Sequence, residues 1–491
     1  MSETSFSDVE DLASDSRQVL VTSVQGELLK HSPYELANAS PLATIARYFN
    51  VATELPELIE VPSPDWVMKR LQNRCAPKDQ SLWFAGENKK IDALAAFADG
   101  FTVMEEHVQF AIVVTAAVAE HARLKRSNPR YERLLYALPY VMNKAQALPA
   151  RRNFDLLDGR SFVLRGVKHS GRSAFLRRLC AMYGPPFSVE PNLPDAPPTL
   201  WYFPTLTVKL GECRSVDDVI ASMRHTFIAE IKDPTEAQKG MFRSLERQHA
   251  QHAAIAACIL LNVGLFILDG ADIEHLGDDF ESILSFAIKL KSYGIPVLLS
   301  CTEAFHRRAS LSPSRVVNAL SGRVLTLRPL GPPEDLQDDL LPPDASRKVD
   351  GEDDDDEDRR VMLGEWVSFC LFFWLQGLFG ERRPMPKDLP RWTYGICLGR
   401  IAWLAAGFKA LHERLVFNPD IQIDEEFVTE VFVEQLAHCE DVRYALRMSQ
   451  TEQRVSEHDF IRFMDHFPAN AAEKFKLVQT LTVAPKTRAR R

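Results

Sequence analysis

The sequence lacks several features that would fix its class at once. Its eight cysteines, at positions 75, 180, 213, 258, 301, 370, 397 and 439, are scattered and form no C-x-x-C pair. That spacing argues against disulfides and zinc, and for a reducing, cytoplasmic setting. The first twenty residues are rich in serine and acids, with no basic region leading into an apolar one, so no signal peptide is expected. The apolar stretch 366–379 falls short of the roughly 20 residues that a membrane span needs. Gln376 near its end and the stop Arg382-Arg383-Pro384 mark it as a buried helix or a subunit contact. No zinc finger, clear helix-turn-helix or internal repeat is visible, so base readout of a nucleic acid has no visible vehicle.

The chain also has no excess of basic charge. Its net charge of −9 weighs against a polyanionic partner only on its face. Eight of the acids (Asp350, Glu352, Asp353, Asp354, Asp355, Asp356, Glu357 and Asp358) form one run, and setting them aside leaves −1. Preceded by Pro332-Pro333 and Pro342-Pro343, this run reads as a solvated linker or, more sharply, as a mimic of DNA that restrains a basic surface. Basic charge gathers instead in Lys486-Thr487-Arg488-Ala489-Arg490-Arg491, a tail suited to non-specific phosphate contact or to solubility. A hydrophobic content of 46% and a charged content of 25% are ample for a buried core, and 491 residues leave room for two to four domains at about 150 residues each.

What is present starts at residue 166. Gly166-Val167-Lys168-His169-Ser170-Gly171-Arg172-Ser173 follows the phosphate-binding pattern G-x-x-x-x-G-K-[S/T], with arginine where lysine belongs. The apolar run Phe162-Val163-Leu164 precedes it and the helical stretch Ala174-Phe175-Leu176-Arg177-Arg178-Leu179 follows, which puts the motif at a strand-to-helix turn. There backbone N–H groups and the helix dipole cradle a polyphosphate whatever the side chain at 172. Arg172 brings a planar fork of donors in place of a compact ammonium, and Ser173 can ligate Mg²⁺. A chance match of a Gly-rich turn is the plain alternative.

A second element is the apolar run Val263-Gly264-Leu265-Phe266-Ile267-Leu268-Asp269, a buried parallel strand ending in an acid suited to hold Mg²⁺. The next residue, where a water-polarising glutamate is common, is Gly270; Asp272 and Glu274 are the nearest acids, and neither stands in that place. Asp269 as a plain turn cap is the structural alternative. A third strand, 295–302, follows a helix closed by Tyr293-Gly294, and its polar end, Thr302 or Ser300, falls beside Asp269 in a parallel sheet, where a γ-phosphate is sensed. Ser215-Val216-Asp217-Asp218 opens a helix with an N-cap, residues 235–262 read as one long helix, and the segment 91–125 has helical spacing divided by Gly100. His225, His249, His252 and Cys258 lack a complete metal set.

Taken in order, Arg160-Ser161-Phe162-Val163-Leu164-Arg165-Gly166, Leu206-Thr207-Val208-Lys209-Leu210, Leu265-Phe266-Ile267-Leu268-Asp269 and Gly294-Ile295-Pro296-Val297 running to Thr302-Glu303-Ala304-Phe305 resemble the AAA+ ATPases that regulate DNA transposition, the TnsC/TniB kind. The resemblance covers roughly residues 130–435. It implies an α/β fold: a P-loop AAA+-like parallel sheet core at 128–330, a helical lid at 361–435, a mostly helical N-terminal extension at 1–127, an acidic Pro-containing linker at 331–360 and a C-terminal tail at 436–491. It implies ATP held by Gly166, His169, Ser170, Gly171, Arg172, Ser173 and Arg400, Mg²⁺ held by Ser173 and Asp269, and catalytic roles for Asp269, Thr302 and Arg323. Arg323, in Ser321-Gly322-Arg323-Val324, would reach a neighbour's γ-phosphate, with Arg307, Arg308 and Arg315 as substitutes. Arg400, near Thr393-Tyr394-Gly395-Ile396, would touch nucleotide from its own subunit.

The implied partners are double-stranded DNA, a transposase, target-selector proteins and further copies of this chain in a nucleotide-dependent oligomer, with no membrane. Arg172, Gly270 and Ser300-Cys301-Thr302 depart from the family pattern. Each lost electrostatic group costs on the order of 10²–10³ in rate, so the expectation is ATP binding with slow hydrolysis or none. A pseudo-ATPase scaffold for protein partners and a P-loop defence or signalling ATPase are the competing readings.

Overall fold

The computed structural model describes residues 62–74, 82, 84–127, 138, 141, 148, 158–189, 200–247, 250–273, 280–311, 316–333, 365–378, 383–450 and 455–468. Glu274, Arg315, His249, the acidic run 350–358, the basic tail 486–491 and most of the expected helix at 128–150 lie outside them. The described chain groups into two compact units interleaved in sequence: one holds 62–71, 103–165 and 175–325, the other 72–102, 166–174 and 326–468.

The described strands form a sheet built from β1 (Ser161–Gly166), β2 (Phe187–Val189), β3 (Leu200–Lys209), β4 (Val263–Ala271), β5 (Val297–Thr302) and β6 (Arg323–Leu327), in the order β2-β3-β4-β5-β1-β6. β3, β4 and β5 run parallel, and the short β2 pairs antiparallel with β3 at the edge. Two close approaches fix β1 and β6 in the same sense. The Val297 N–H donates to the Arg160 carbonyl at 3.0 Å, and Gly322, just before β6, lies against the Ser161 carbonyl at the start of β1.

Burial explains the choice of residues. Every residue of β5 is buried, as are the first six of β4, so both faces of these strands are covered and the sequence reads as a continuous apolar run instead of an alternation. The covering helices are α1 (Glu105–Ser127), α2 (Arg172–Tyr183), α3 (Val216–Glu230), α4 (Gln251–Leu260), α5 (Phe280–Ser292) and α6 (Glu303–Ser310). α1, which the sequence assigns to the N-terminal extension, packs within the first unit: Thr115 shares a hydrogen bond with the Tyr183 hydroxyl at 2.9 Å, and the His107 ring stacks on Phe175 at 4.8 Å.

The N-cap at Ser215 forms as expected and closes a reciprocal capping box with Asp218. The expected long helix at 235–262 is instead two helices, Glu236–Ser244 and α4. Its first part buries one stripe, Met241, Phe242 and Leu245; a turn over 245–247 ends it, and α4 then buries all of 253–259.

The second unit's helical segment contains α7 (Glu365–Gln376), α8 (Leu389–Cys397), α9 (Ile401–Phe417), α10 (Glu425–Gln435) and α11 (Glu440–Gln450), then a short helix Glu457–Arg462. The apolar stretch at 366–379 is core. Trp366 and Trp374 are almost fully buried, and their indole N–H groups donate to the carbonyls of Pro390 and Arg383. Phe373 stacks with Phe97 and Phe408. Among the described residues no helix is long and apolar enough to cross a membrane. The described chain is thus α/β, with a mostly parallel six-stranded sheet and helical regions.

Candidate functional site

The phosphate loop leaves the carboxyl end of β1 and enters α2 at Arg172, so the strand–loop–helix arrangement expected from the sequence forms. Two residues take left-handed backbone, His169 at φ +67° and Gly171 at φ +94°. At Gly171 a Cβ would meet open space, so glycine is required there by conformation and not by crowding. Gly166 is required by crowding: a Cβ would stand 2.5 Å from the Leu327 carbonyl and 2.7 Å from Ser170 Oγ.

The loop ends in the first turn of α2, whose N–H groups have no acceptor within the helix and carry its positive dipole end. Arg172 is the first helical residue and is half-buried; Ser173, the second, is exposed. Ser170 is buried, and its Oγ has no partner among the described residues. An orphaned hydroxyl and open space at Gly171 beside a helix N-terminus fit a phosphate group.

The helical region supplies the loop's neighbours. The Lys168 N–H donates to the Asp465 carbonyl at 2.9 Å, and the His169 carbonyl accepts from the Ala402 N–H at 3.1 Å. The His169 ring lies 5.2 Å from Trp403 and 5.3 Å from His466, centroid to centroid. Burial, helped by the charges of Arg400 and Lys168, pushes its pKa down to about 4, so the ring is neutral at physiological pH. Arg400 precedes α9, is 2% exposed, and donates Nη2 to the His466 carbonyl at 2.6 Å. Arg400 therefore stands near the loop, as the sequence expects, with part of its guanidinium already engaged.

At the ends of β4 and β5 the register slips between Leu268 and Ala271, so Asp269 and Gly270 together face the single residue Ser300. Gly270 has φ +89°. The position that usually carries a catalytic glutamate therefore has a backbone that L-residues rarely adopt. Asp269 Oδ1 and Ser300 Oγ are both enclosed, with no partner among the described residues. Hard oxygen donors left over in this way fit a Mg²⁺ ion, which takes one or two protein ligands and completes its shell with phosphate and water. No group of three or more His, Cys, Asp or Glu among the described residues could hold a metal by itself. Thr302 is buried and caps α6, its Oγ1 accepting from the Phe305 N–H at 3.1 Å. Of the two polar residues at this strand end, Ser300 is the one opposite Asp269.

Asp269 also has neighbours that the sequence did not flag. Lys209 is its register partner on β3, and Cys180 feels its charge. The Cys180 thiol lies 3.6 Å from the Thr207 hydroxyl, and burial raises its pKa. Arg323 is exposed at the start of β6, next to Gly322, which lies against Ser161 at the start of β1. Arg307 and Arg308 lie in α6.

No family model and no curated protein matches the chain. Several solved structures resemble it loosely, among them these two. One is the Aeropyrum pernix ORC2 protein in ADPNP–ADP complexes, at 10% identity and TM-score 0.35, covering 73% of this chain and 86% of that one. The other is Cdc6p from Pyrobaculum aerophilum, at 13% identity and TM-score 0.32, covering 73% and 82%. Superpositions this loose carry no argument about activity.

Proposed function

We propose that this chain is an ATP-binding, AAA+-like regulator of DNA transposition. With ATP and Mg²⁺ bound it oligomerises on double-stranded DNA and recruits or activates a transposase in concert with a target selector, with little or no hydrolysis. The nucleotide reading is carried by the loop at 166–173, where two left-handed residues precede a helix N-terminus beside an orphaned serine hydroxyl. The transposition reading is supported by the order of motifs in the sequence. Gly166, His169, Ser170, Gly171, Arg172 and Ser173 would hold the phosphates, Arg400 would neutralise charge from the same subunit, and Ser173 with Asp269 would hold Mg²⁺. Arg323, exposed at the start of β6, would act toward a neighbouring copy. Thr302 or Ser300 would sense the γ-phosphate.

The test is a gel mobility shift on duplex DNA with and without ATP and Mg²⁺, with sizing in parallel. Binding should require ATP or a non-hydrolysable analogue, tolerate any duplex sequence and weaken steeply with salt, as contacts to phosphate do. Arg323→Ala should abolish nucleotide-dependent assembly. Salt-independent binding, or strong preference for one site by the isolated protein, would count against this mechanism. The left-handed Gly270 favours one alternative, a pseudo-ATPase scaffold for protein partners. Absence of any DNA shift under every nucleotide condition would select it.

A further inference from the structure

His169 is an unexpected residue in an unexpected backbone. At φ +67° it occupies the region that favours glycine, yet it carries a large ring inside the phosphate loop. The ring packs against Trp403 at 5.2 Å and His466 at 5.3 Å. The backbone is held at two adjacent points, by the Ala402 N–H on the His169 carbonyl and by the Asp465 carbonyl on the Lys168 N–H. His466 is itself fixed, because the buried Arg400 donates to its carbonyl. A loop that needed only mobility would use glycine here.

We infer that His169 is a positioning residue for the phosphate loop: its ring, packed against Trp403 and His466, holds the loop backbone with the N–H groups of 171–173 turned toward a phosphate. The inference rests on the nucleotide-binding reading and assigns a device to it. A loop preset in this way avoids the cost of ordering on binding. By linkage, phosphate in the loop then tightens the packing of 464–467, and loosening that segment weakens nucleotide binding by the same factor. The rival account is that position 169 needs only a residue that tolerates left-handed backbone, with the ring incidental.

Two substitutions separate these accounts. His169→Phe keeps a ring, whereas His169→Asn keeps tolerance of the left-handed conformation and loses the ring. Hydrogen exchange of the nucleotide-free full chain, read on peptides covering 166–175 and 464–468, should speed about tenfold in His169→Asn and Trp403→Ala and stay near wild type in His169→Phe. ATP–Mg²⁺ affinity by calorimetry should follow the same order, about tenfold weaker in the first two. The double variant His169→Asn/Trp403→Ala should be little worse than either single one, because both remove the same contact. Unchanged exchange in His169→Asn and Trp403→Ala, or a normal His169→Asn beside an impaired His169→Phe, overturns the inference. If Trp403→Ala fails to fold, the His169 pair decides. If the wild-type chain binds no ATP, the nucleotide reading falls and the exchange results alone judge the ring: acceleration supports it, and no change overturns it.

Discussion

The loop at 166–173 offers a ligand backbone, whereas the ends of β4 and β5 offer side chains. In the loop, the groups suited to phosphate are N–H dipoles, so the lysine-to-arginine change at 172 leaves the cradle intact. At the strand ends the chemistry depends on single atoms, Asp269 Oδ1 and Ser300 Oγ, and the place of a general base is taken by Gly270 at φ +89°. Backbone recognition survives substitution of side chains; side-chain chemistry does not. A protein that keeps the first and loses part of the second is suited to occupancy-dependent assembly more than to turnover.

The sharpest way to break this comparison is Gly171→Val. A β-branched residue at φ +94° must distort the loop, and ATP affinity should fall by at least about 100-fold in calorimetry while far-UV circular dichroism stays native. Retained affinity would mean that the loop is not the phosphate site.

Gly270→Glu is the next test, aimed at the strand ends. It restores a carboxylate but places it on left-handed backbone, so it should lower stability by about 1–3 kcal/mol in urea denaturation without raising the ATPase rate. A marked gain in turnover would show that only the missing base limits hydrolysis.

Acid separates the two regions as well. His169, held near pKa 4 against about 6.5 when unfolded, binds its proton more readily in the unfolded chain. Its contribution is therefore full above pH 6.5 and is lost as pH falls toward 4, about 2 kcal/mol between pH 7 and pH 5. His107 and His412, also lowered to about 4 by burial, act in the same direction. Comparing His169→Phe with wild type at pH 7 and pH 5 isolates the loop's share: the variant should lose less stability on acidification, and an equal loss would refute it.

Smaller effects are expected from Asp269→Asn and Arg172→Lys. The first should weaken Mg²⁺-dependent ATP binding about tenfold and leave Mg²⁺-free binding unchanged. The second should alter affinity no more than about threefold, because the N–H groups stay in place. A large effect of Arg172→Lys would move weight from backbone to side chain within the loop.

Much of the sheet was legible because buried parallel strands are written as apolar runs: 263–268 and 297–299 announce β4 and β5 without help from tertiary structure. The helix stop at Gly294, observed at φ +91°, and the start at Ser215 were legible for the same local reason. What local pattern cannot carry is distance along the chain. Nothing near His169 foretells Trp403 or His466, and nothing at Thr302 says that its hydroxyl caps a helix while Ser300 faces Asp269. Gly270 is visible as a missing glutamate, but the backbone that makes the glycine necessary arises from the slip against β5. The break of 235–262 into two helices after Ser244 is likewise something that a count of helix formers does not register.

The docking of the loop backbone onto Ala402 and Asp465 bears on how the protein can be dissected. A fragment ending at residue 333 would retain all six strands and the whole phosphate-binding pattern, and would look by sequence like a minimal nucleotide module. It would nevertheless discard both backbone partners of the loop and both rings that flank His169. On the proposed nucleotide-binding reading, shortening the chain from its far end would thus blunt that binding without removing a single residue of the motif that names it.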